Sequence, residues 1–540
     1  MYAGQHGGTR RNGKTSRARI ITITGAVMAS AIMLTGCGAD TATNEDASVT
    51  VMVVQSSDQL SVDKMVWTKQ VEKDCGCTIK WQRVDANSFQ QQRSTILASE
   101  SVPDISISGF GYDEAQKFPY FEDLAQHLDD MPNVKEYLEQ IPTARTLTEN
   151  ENGNMYVLRS YMGKGYAVPA QYLMINKTWL DKLGLDLPTT WDEYEQVLEA
   201  FKTKDPNGNG KQDEIPLDLR KLDTGFFGWW NPFLLLNSLG ITTHFGSGPA
   251  SQGIYVSNGT VGNFMIDARF RQVIEYLHTL MDRNLIPKDA LTKDISKYSA
   301  ELNSDGKTPL VGSAFGWGAS DFGTTFEDQY VALPTLKANA SDPESNLTWD
   351  ASGDTYSFTG GISMSAKTKN KEAAYKIINS LFSEKLSVQQ FRGSIPEWVT
   401  DEGNHRYKVS ERFWDTSTMG TREAIEGGFA GWIPDNVEWE DEINIDRQKK
   451  MNDAYLDDYA NIDATRDVMP ANARPTSEQL TTLSNNNTAI FDYAITKIAT
   501  WIVKGGIDGE WDEYAKQLKA LGIDDNVAIW QEAYDKATKN

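Results

Sequence analysis

The chain has 540 residues, 40% of them hydrophobic and 10% aromatic, which is enough for more than one packed lobe. Its 52 basic and 75 acidic residues give a formal net charge of −23. A field of that sign repels nucleic acid and acidic polymers at long range, which argues against a DNA-, RNA- or heparin-binding role.

Arg10, Arg11, Lys14, Arg17 and Arg19 form a basic stretch without an acid, and a diluted apolar run from Ile20 to Leu34 follows. A basic segment, a short apolar segment and small residues describe an export signal, and a buried core helix would have no use for the basic prefix. Leu34-Thr35-Gly36-Cys37 resembles a bacterial lipobox, which implies cleavage before Cys37 and diacylation of its thiol. Two acyl chains hold a protein at a membrane far better than one. Loss of residues 1–36 takes away five basic residues and no acidic one, leaving a net charge of −28. Residues 37–47 are small and polar and read as a flexible tether. Beyond the first segment no run reaches the roughly 20 apolar residues of a membrane span.

Ser48 to Val54 is a β-branched run and predicts a buried strand. A helix follows through Val62, Met65, Val66 and Lys69, ending at Gly76. Thr78 to Val84 alternates as a second strand, Phe89 to Ser99 is helical, and Pro103 to Ile107 holds a third strand. This alternation predicts an α/β lobe with parallel strands. A second unit opens near Ala167, with Val168-Pro169 and then a strand at Tyr172 to Ile175. A short helix from Trp179 to Leu183 stops at Gly184. Thr190 and Glu193 form a capping box for the next helix, through Phe201. Further helices are expected at 267–283, 371–382, 488–503, 511–521 and 527–537. Trp191-Asp192-Glu193-Tyr194 recurs as Trp511-Asp512-Glu513-Tyr514, but without a period, so these are two similar helix starts, with both indoles in the core.

Cys75-Gly76-Cys77 is either a small disulfide or two reduced thiols in a structural role, and a zinc site would need more ligands nearby. The segment Asp205-Pro206-Asn207-Gly208-Asn209-Gly210-Lys211-Gln212-Asp213-Glu214 is more specific. Oxygen side chains alternate at Asp205, Asn207 and Asn209, Gly210 permits a sharp turn, and Lys211 can offer its carbonyl. Calcium takes 6–8 oxygens, and this spacing lets one loop wrap an ion. The twelfth position of an EF-hand loop is Pro216 here, so Asp213 or Glu214 must close the shell. The expected cofactor is one structural Ca²⁺; the alternative is a solvated Asn-Gly turn.

Tyr172 to Leu185, followed by Pro188-Thr189-Thr190-Trp191-Asp192-Glu193-Tyr194, resembles the family 1 type of extracellular solute-binding proteins of carbohydrate ABC importers. Within it the chain is most similar to the large branch that includes alginate-oligosaccharide-binding proteins, which carry a calcium loop at this place. The likeness continues at Asn258-Gly259-Thr260-Val261, at Tyr330 to Pro334, at Gly360 to Met364, at Ile395 to Trp398 and at Gln531 to Asp535. Relatives often have an Arg near Asn176, so no ligand role is carried to that position. The resemblance implies a two-lobed periplasmic-binding-protein-like fold of type II, α/β, with a ligand cleft between lobes that close by hinge motion. The expected division is 48–165 with about 310–358 in the first lobe, and 166–309 with about 359–540 in the second.

Sugars offer apolar C–H faces to aromatic rings and hydroxyls to polar side chains. Several indoles lie in Gly-rich segments: Gly225-Phe226-Phe227-Gly228-Trp229-Trp230, Gly316-Trp317-Gly318 and Gly428-Phe429-Ala430-Gly431-Trp432. The alginate-binding relatives imply cleft positions for Trp317 and Trp432. Trp229 and Trp230, with Asp58 and Tyr112 after first-lobe strands, complete the candidate ligand set. Enzymatic motifs are missing: no Gly-x-Ser-x-Gly, no His-Glu-x-x-His and no complete phosphate or dinucleotide loop. The chain is expected to be no enzyme but a monomeric receptor. It would be lipid-anchored outside the cytoplasmic membrane and would hand an oligosaccharide to a permease and ATPase on separate chains. A receptor for a peptide or other solute, and a surface glycoside hydrolase, are the rival readings.

Overall fold

The structure is a computed structural model, described here for residues 48–150, 152–163, 171–222, 227–246, 248–351, 358–414, 416–425, 431–440 and 450–539. The export signal, Cys37 and the tether lie outside the described residues, as do Val168-Pro169, Gly225-Phe226 and Gly428-Phe429-Ala430. The strands are β1 (Ser48–Gln55), β2 (Thr78–Asp85), β3 (Ile105–Ile107), β4 (Leu158–Tyr161), β5 (Tyr172–Asn176), β6 (Ile215–Asp218), β7 (Ile254–Ser257), β8 (Thr260–Asn263), β9 (Val311–Gly316), β10 (Tyr330–Ala332), β11 (Phe358–Met364), β12 (Val399–Gly403), β13 (Arg406–Val409) and β14 (Glu438–Glu440).

The first lobe is built on a sheet of order β2-β1-β3-β11-β4. β1 pairs in parallel with β2 and β3, and β11 runs antiparallel to β3 and β4. Val49, Val51 and Val53 face one apolar core and Met52 the other, so the strand is buried on both faces and reads as a continuous apolar run. The helix Thr68–Cys75 ends on Gly76 at φ 63°, the left-handed conformation that glycine adopts without a Cβ clash. A disulfide joins Cys75 to Cys77 around it.

The second lobe is built on β10-β5-β9-β6. β5 is antiparallel to β9 and β10, and all five of its residues are buried. The helices Trp191–Thr203, Ala268–Asp282 and Ser477–Lys504 pack on it in one continuous core. Trp191 is in that core, stacked on Tyr276 at 4.5 Å, as expected. Thr190 accepts the Glu193 N–H, but the Glu193 carboxylate turns to Thr189, one residue before the cap.

The sheet pairing corrects the expected division of the middle of the chain. β9 and β10 pair with β5, which puts residues 311–332 in the second lobe; β11 pairs with β3 and β4, which puts 358–364 in the first. The helix Lys371–Leu381 packs its Ile377, Ile378 and Leu381 into the first-lobe core. The chain therefore returns to the first lobe at β11 and leaves it again after β14. Residues from Met451 onward rejoin the second-lobe core.

Beneath the second sheet Lys293, fully buried, bridges Asp218 and Glu301. Burial pushes the Asp218 carboxyl up to about 7, against the pull of the Lys293 ammonium. A buried charge that loses its partner costs about 3–5 kcal/mol. Lys293→Met keeps the stem and deletes the cation, and is expected to lower unfolding free energy by about that amount in urea titrations.

Candidate functional site

β5 and β9 are in register with Tyr172 opposite Gly316. That register sets Gln171 and Trp317 side by side at one end of the second sheet. The Trp230 N–H donates to Gln171 Oε1 at 2.6 Å, which draws the Trp229-Trp230 turn to the same place. Three half-buried indoles therefore meet. Trp229 lies 4.9 Å from Trp317, tilted by 51°, and Trp230 lies 5.2 Å from Trp317, nearly edge-on at 80°. Tyr298 stacks beneath Trp230 at 6.4 Å, and its hydroxyl donates to the Phe315 carbonyl at 2.6 Å. The Arg220 guanidinium sits 5.7 Å from the Trp230 ring and donates to the Trp229 carbonyl.

The turn is held under strain. Trp230 has φ 57°, which a side-chain-bearing residue seldom adopts and which clusters at functional sites. The Trp230 Nε1–H is buried without a hydrogen-bond partner. Gly246 packs so closely under Trp229 that a Cβ there would overlap its ring.

A cavity of about 340 Å³ lies between residues of the two lobes, within the usual size range for small-ligand sites. Tyr112, Leu147, Arg159 and Phe358 line it from the first lobe, and His244, Tyr255, Met469, Arg474 and Trp530 from the second. Arg474 also ties the lobes together. Its guanidinium donates to the carbonyls of Thr146, Leu147 and Glu149 at the end of the helix Pro142–Thr148 and covers the Tyr112 ring at 3.6 Å. A cation at a helix C-terminus also meets the negative end of its dipole.

The remaining expected ligand residues are distributed as follows. Tyr112 lines the cavity and touches Arg474. Asp58 is exposed in the turn after β1, with Gly420 close to its carbonyl. Trp432 is not brought to the three indoles: it is 4% exposed and packs on Tyr137 at 5.7 Å in the first-lobe core. The expectation of a cleft-lining Trp432 gives way to this because residues 431–433 are drawn onto β4, where Tyr161 bridges to Trp432. Sequence reasoning did not single out Gln171, Arg220, Tyr298 or Arg474. Each meets its indole or carbonyl partner across the fold, and no local pattern marks it.

In the loop from Asp205, the Asp205 carboxylate accepts the N–H groups of Gly208, Asn209 and Gly210 at 3.0–3.1 Å. Asn209 accepts the Lys211 N–H, and Asn207 and Asn209 donate their amides to Asp213. Asp205 itself is left-handed at φ 48°. Both Glu214 oxygens are buried without a hydrogen-bond partner. Burial pushes this carboxyl up, with the Asp205 and Asp213 charges adding to the effect and the main-chain N–H groups of Glu214 and Asn207 opposing it. Among the described residues no three His, Cys, Asp or Glu side chains converge as a ready metal cluster. The other donors of this loop are Asn amides and main-chain carbonyls, and the orphaned Glu214 carboxylate fits a bound cation. Among the described residues no helix is long and apolar enough to cross a membrane.

Two separately cored α/β lobes around an aromatic-lined cavity define a solute-binding protein. Residues 55–386 match the family of bacterial extracellular solute-binding proteins, and the chain belongs to that family. It is similar to the fructooligosaccharide ABC transporter substrate-binding protein FusA of Streptococcus pneumoniae serotype 4, with 26% identity and 87% of each chain covered. Among solved structures, it resembles a human-milk-oligosaccharide (HMO)-binding, ABC-transporter-associated solute-binding protein of Bifidobacterium longum infantis. The identity there is 42%, with 92% of this chain and 100% of that one covered and a TM-score of 0.87. A FusA EF-hand mutant in complex with fructo-nystose shares the fold at 24% identity, covering 91% and 100%, with a TM-score of 0.75.

Arg474→Ala removes the three carbonyl contacts and the ring contact that link the lobes. Charge-assisted hydrogen bonds contribute about 1.5–3 kcal/mol each when buried and less when half-exposed. The substitution is expected to increase the radius of gyration of the ligand-free protein in small-angle X-ray scattering. An unchanged scattering curve would show that Arg474 does not hold the lobes together.

Proposed function

We propose that the protein is the oligosaccharide-capturing receptor of an ABC importer, closing its two lobes on the sugar and releasing it unaltered to a permease. The observation that carries this reading is the cluster of Trp229, Trp230 and Trp317, three large apolar faces left half-open on a polar foundation. Indole faces cover the C–H faces of pyranose and furanose rings. Tyr112, His244 and Arg474 at the interlobe cavity offer the polar partners for hydroxyls. The HMO-binding relative at 42% identity makes milk-type oligosaccharides the first class to test, and FusA makes fructo-oligosaccharides the second.

The lipobox supports an anchor at Cys37, with the receptor tethered outside the membrane and acting as a monomer. The ATPase and the permease are separate chains. Asp205, Asn207, Asn209, the Lys211 carbonyl, Asp213 and Glu214 are the residues that would hold a structural Ca²⁺. When bound, the ion supplies the counter-charge that the Glu214 carboxylate lacks.

Isothermal calorimetry of the soluble chain against milk-type glycans, fructo-oligosaccharides and peptides is expected to show binding to a glycan and none to peptides. Trp317→Ala should weaken that binding at least tenfold, the scale of an aromatic hot spot. Peptide binding alone would sink the sugar reading. Independently, Ca²⁺ at a hundredfold above its Kd is expected to stabilise the protein by about 2.7 kcal/mol, read as a rise in Tm over the EDTA-treated sample. Glu214→Gln should abolish most of that rise. No difference between calcium and EDTA would refute the loop assignment.

A further inference from the structure

Trp317 stands one residue beyond the end of β9, between Gly316 and Gly318. The ladder holds Gly316 opposite Tyr172, but past the strand end Gly318 leaves the main chain without that support. Its N–H donates to Asp321 Oδ2 at 2.6 Å, and the Gly318 N–H donates to the same oxygen at 3.3 Å. The carboxyl is tucked against the strand end so tightly that a Cβ at Gly316 would overlap Oδ2. Capping the one-turn helix Ala319–Phe322 would need only the Gly318 bond; the shorter bond goes to the residue that carries the indole.

We propose that Asp321 is the positioning residue of the sugar platform, its Oδ2 fixing the main chain at Trp317 and Gly318 so that the Trp317 indole stays aligned with Trp229 and Trp230. This rests on the reading of the three indoles as the sugar-binding surface. Among the described residues no cation pairs with Asp321. Burial pushes its carboxyl up to about 6, against which the two N–H donors pull. The folded pKa thus lies above the unfolded one, so the folded state holds the proton more tightly. Ionising Asp321 therefore costs folded-state stability as pH rises from about 4 to about 6, and the full cost persists above that window. The carboxyl nevertheless accepts both main-chain donors, so the penalty accompanies a contact that fixes the Trp317 main chain.

The test compares the native chain with D321N, D321A and W317A in glycan calorimetry, near-ultraviolet circular dichroism and thermal melts. D321A removes the acceptor and is expected to bind about tenfold more weakly, equivalent to the loss of about one such hydrogen bond. Its near-ultraviolet indole bands should change while the protein stays folded. D321N keeps an acceptor oxygen and should recover most of the affinity. It should also melt higher than the native chain at pH 7.5, with the margin vanishing near pH 4. If D321A fails to fold, Gly316→Ala pushes the carboxylate aside from the strand and should give the same loss of affinity. D321A, or Gly316→Ala in its place, binding with native affinity and a native indole spectrum while W317A binds weakly would overturn this inference alone. W317A binding as the native chain does would remove the platform reading and this inference with it.

Discussion

Everything in this molecule depends on two apolar cores that close without each other. Val49, Val51, Ile105, Ile107 and Ile362 are sealed in the first lobe, and Met174, Ile175, Leu198, Phe233 and Leu277 in the second, all at 0% exposure. Neither core borrows a side chain from the other. A change in the angle between the lobes need not open either of these two cores, and it breaks contacts between them such as those of Arg474. A ligand that touches both lobes can then shift the balance by its differential affinity alone, a few kcal/mol, without working against the stability of either lobe.

The tryptophans divide by burial: some are sealed in the cores and three are left partly exposed together. Four of the core indoles find an acceptor for their N–H: Trp67 donates to the Glu423 carbonyl, Trp191 to Ser238, Trp349 to the Gln171 carbonyl and Trp501 to Glu510, whereas the Nε1–H of the core residue Trp432 is left without one. The three indoles at the end of the second sheet are only half-buried, and their order comes from below. Gln171 grips the Trp230 main chain, Tyr298 supports its ring, Arg220 holds the Trp229 carbonyl and Asp321 holds Trp317. Rigid aromatic faces cost little entropy on binding, because the side chains are ordered before the ligand arrives. The polar groups that order them, Gln171 and Asp321 among them, are buried at some expense to the fold.

Local signals in the sequence led to local structure. The Val-rich run of β1, the Gly76 and Gly184 stops, the Thr190 start and the loop from Asp205 all follow from residue chemistry within a dozen positions. The extended helix Ser477–Lys504 begins 11 residues before its apolar periodicity becomes clear, because its first turns are polar and are held by the Thr476 and Gln479 cap. What the sequence did not reveal is pairing at a distance. Nothing in Val311 to Gly316 says that its partner is Tyr172–Ile175, so the lobes differ from the expected division between 310 and 440. Trp432 is the instructive error. A glycine beside an indole suggested an open loop, but Gly431 is small because Ser387 and the Leu381 carbonyl press on it; a Cβ there would lie 2.9 Å from that carbonyl. A glycine in sequence does not distinguish a free turn from a tight seat.

The order in which the chain visits the lobes has its own consequence. It builds most of the first lobe, passes to the second after β4, returns at β11 and leaves again after β14. Three crossings constrain two bodies far more than one linker would. A single flexible connection lets lobes tumble, and a ligand would then have to offset much of that lost freedom. Two bodies joined several times lose less freedom when a solute brings them together, so the entropy lost on closing stays small. A two-lobed chain threaded this way is suited to binding a solute between its lobes, since the solute need supply only the free energy that distinguishes two arrangements of bodies already joined.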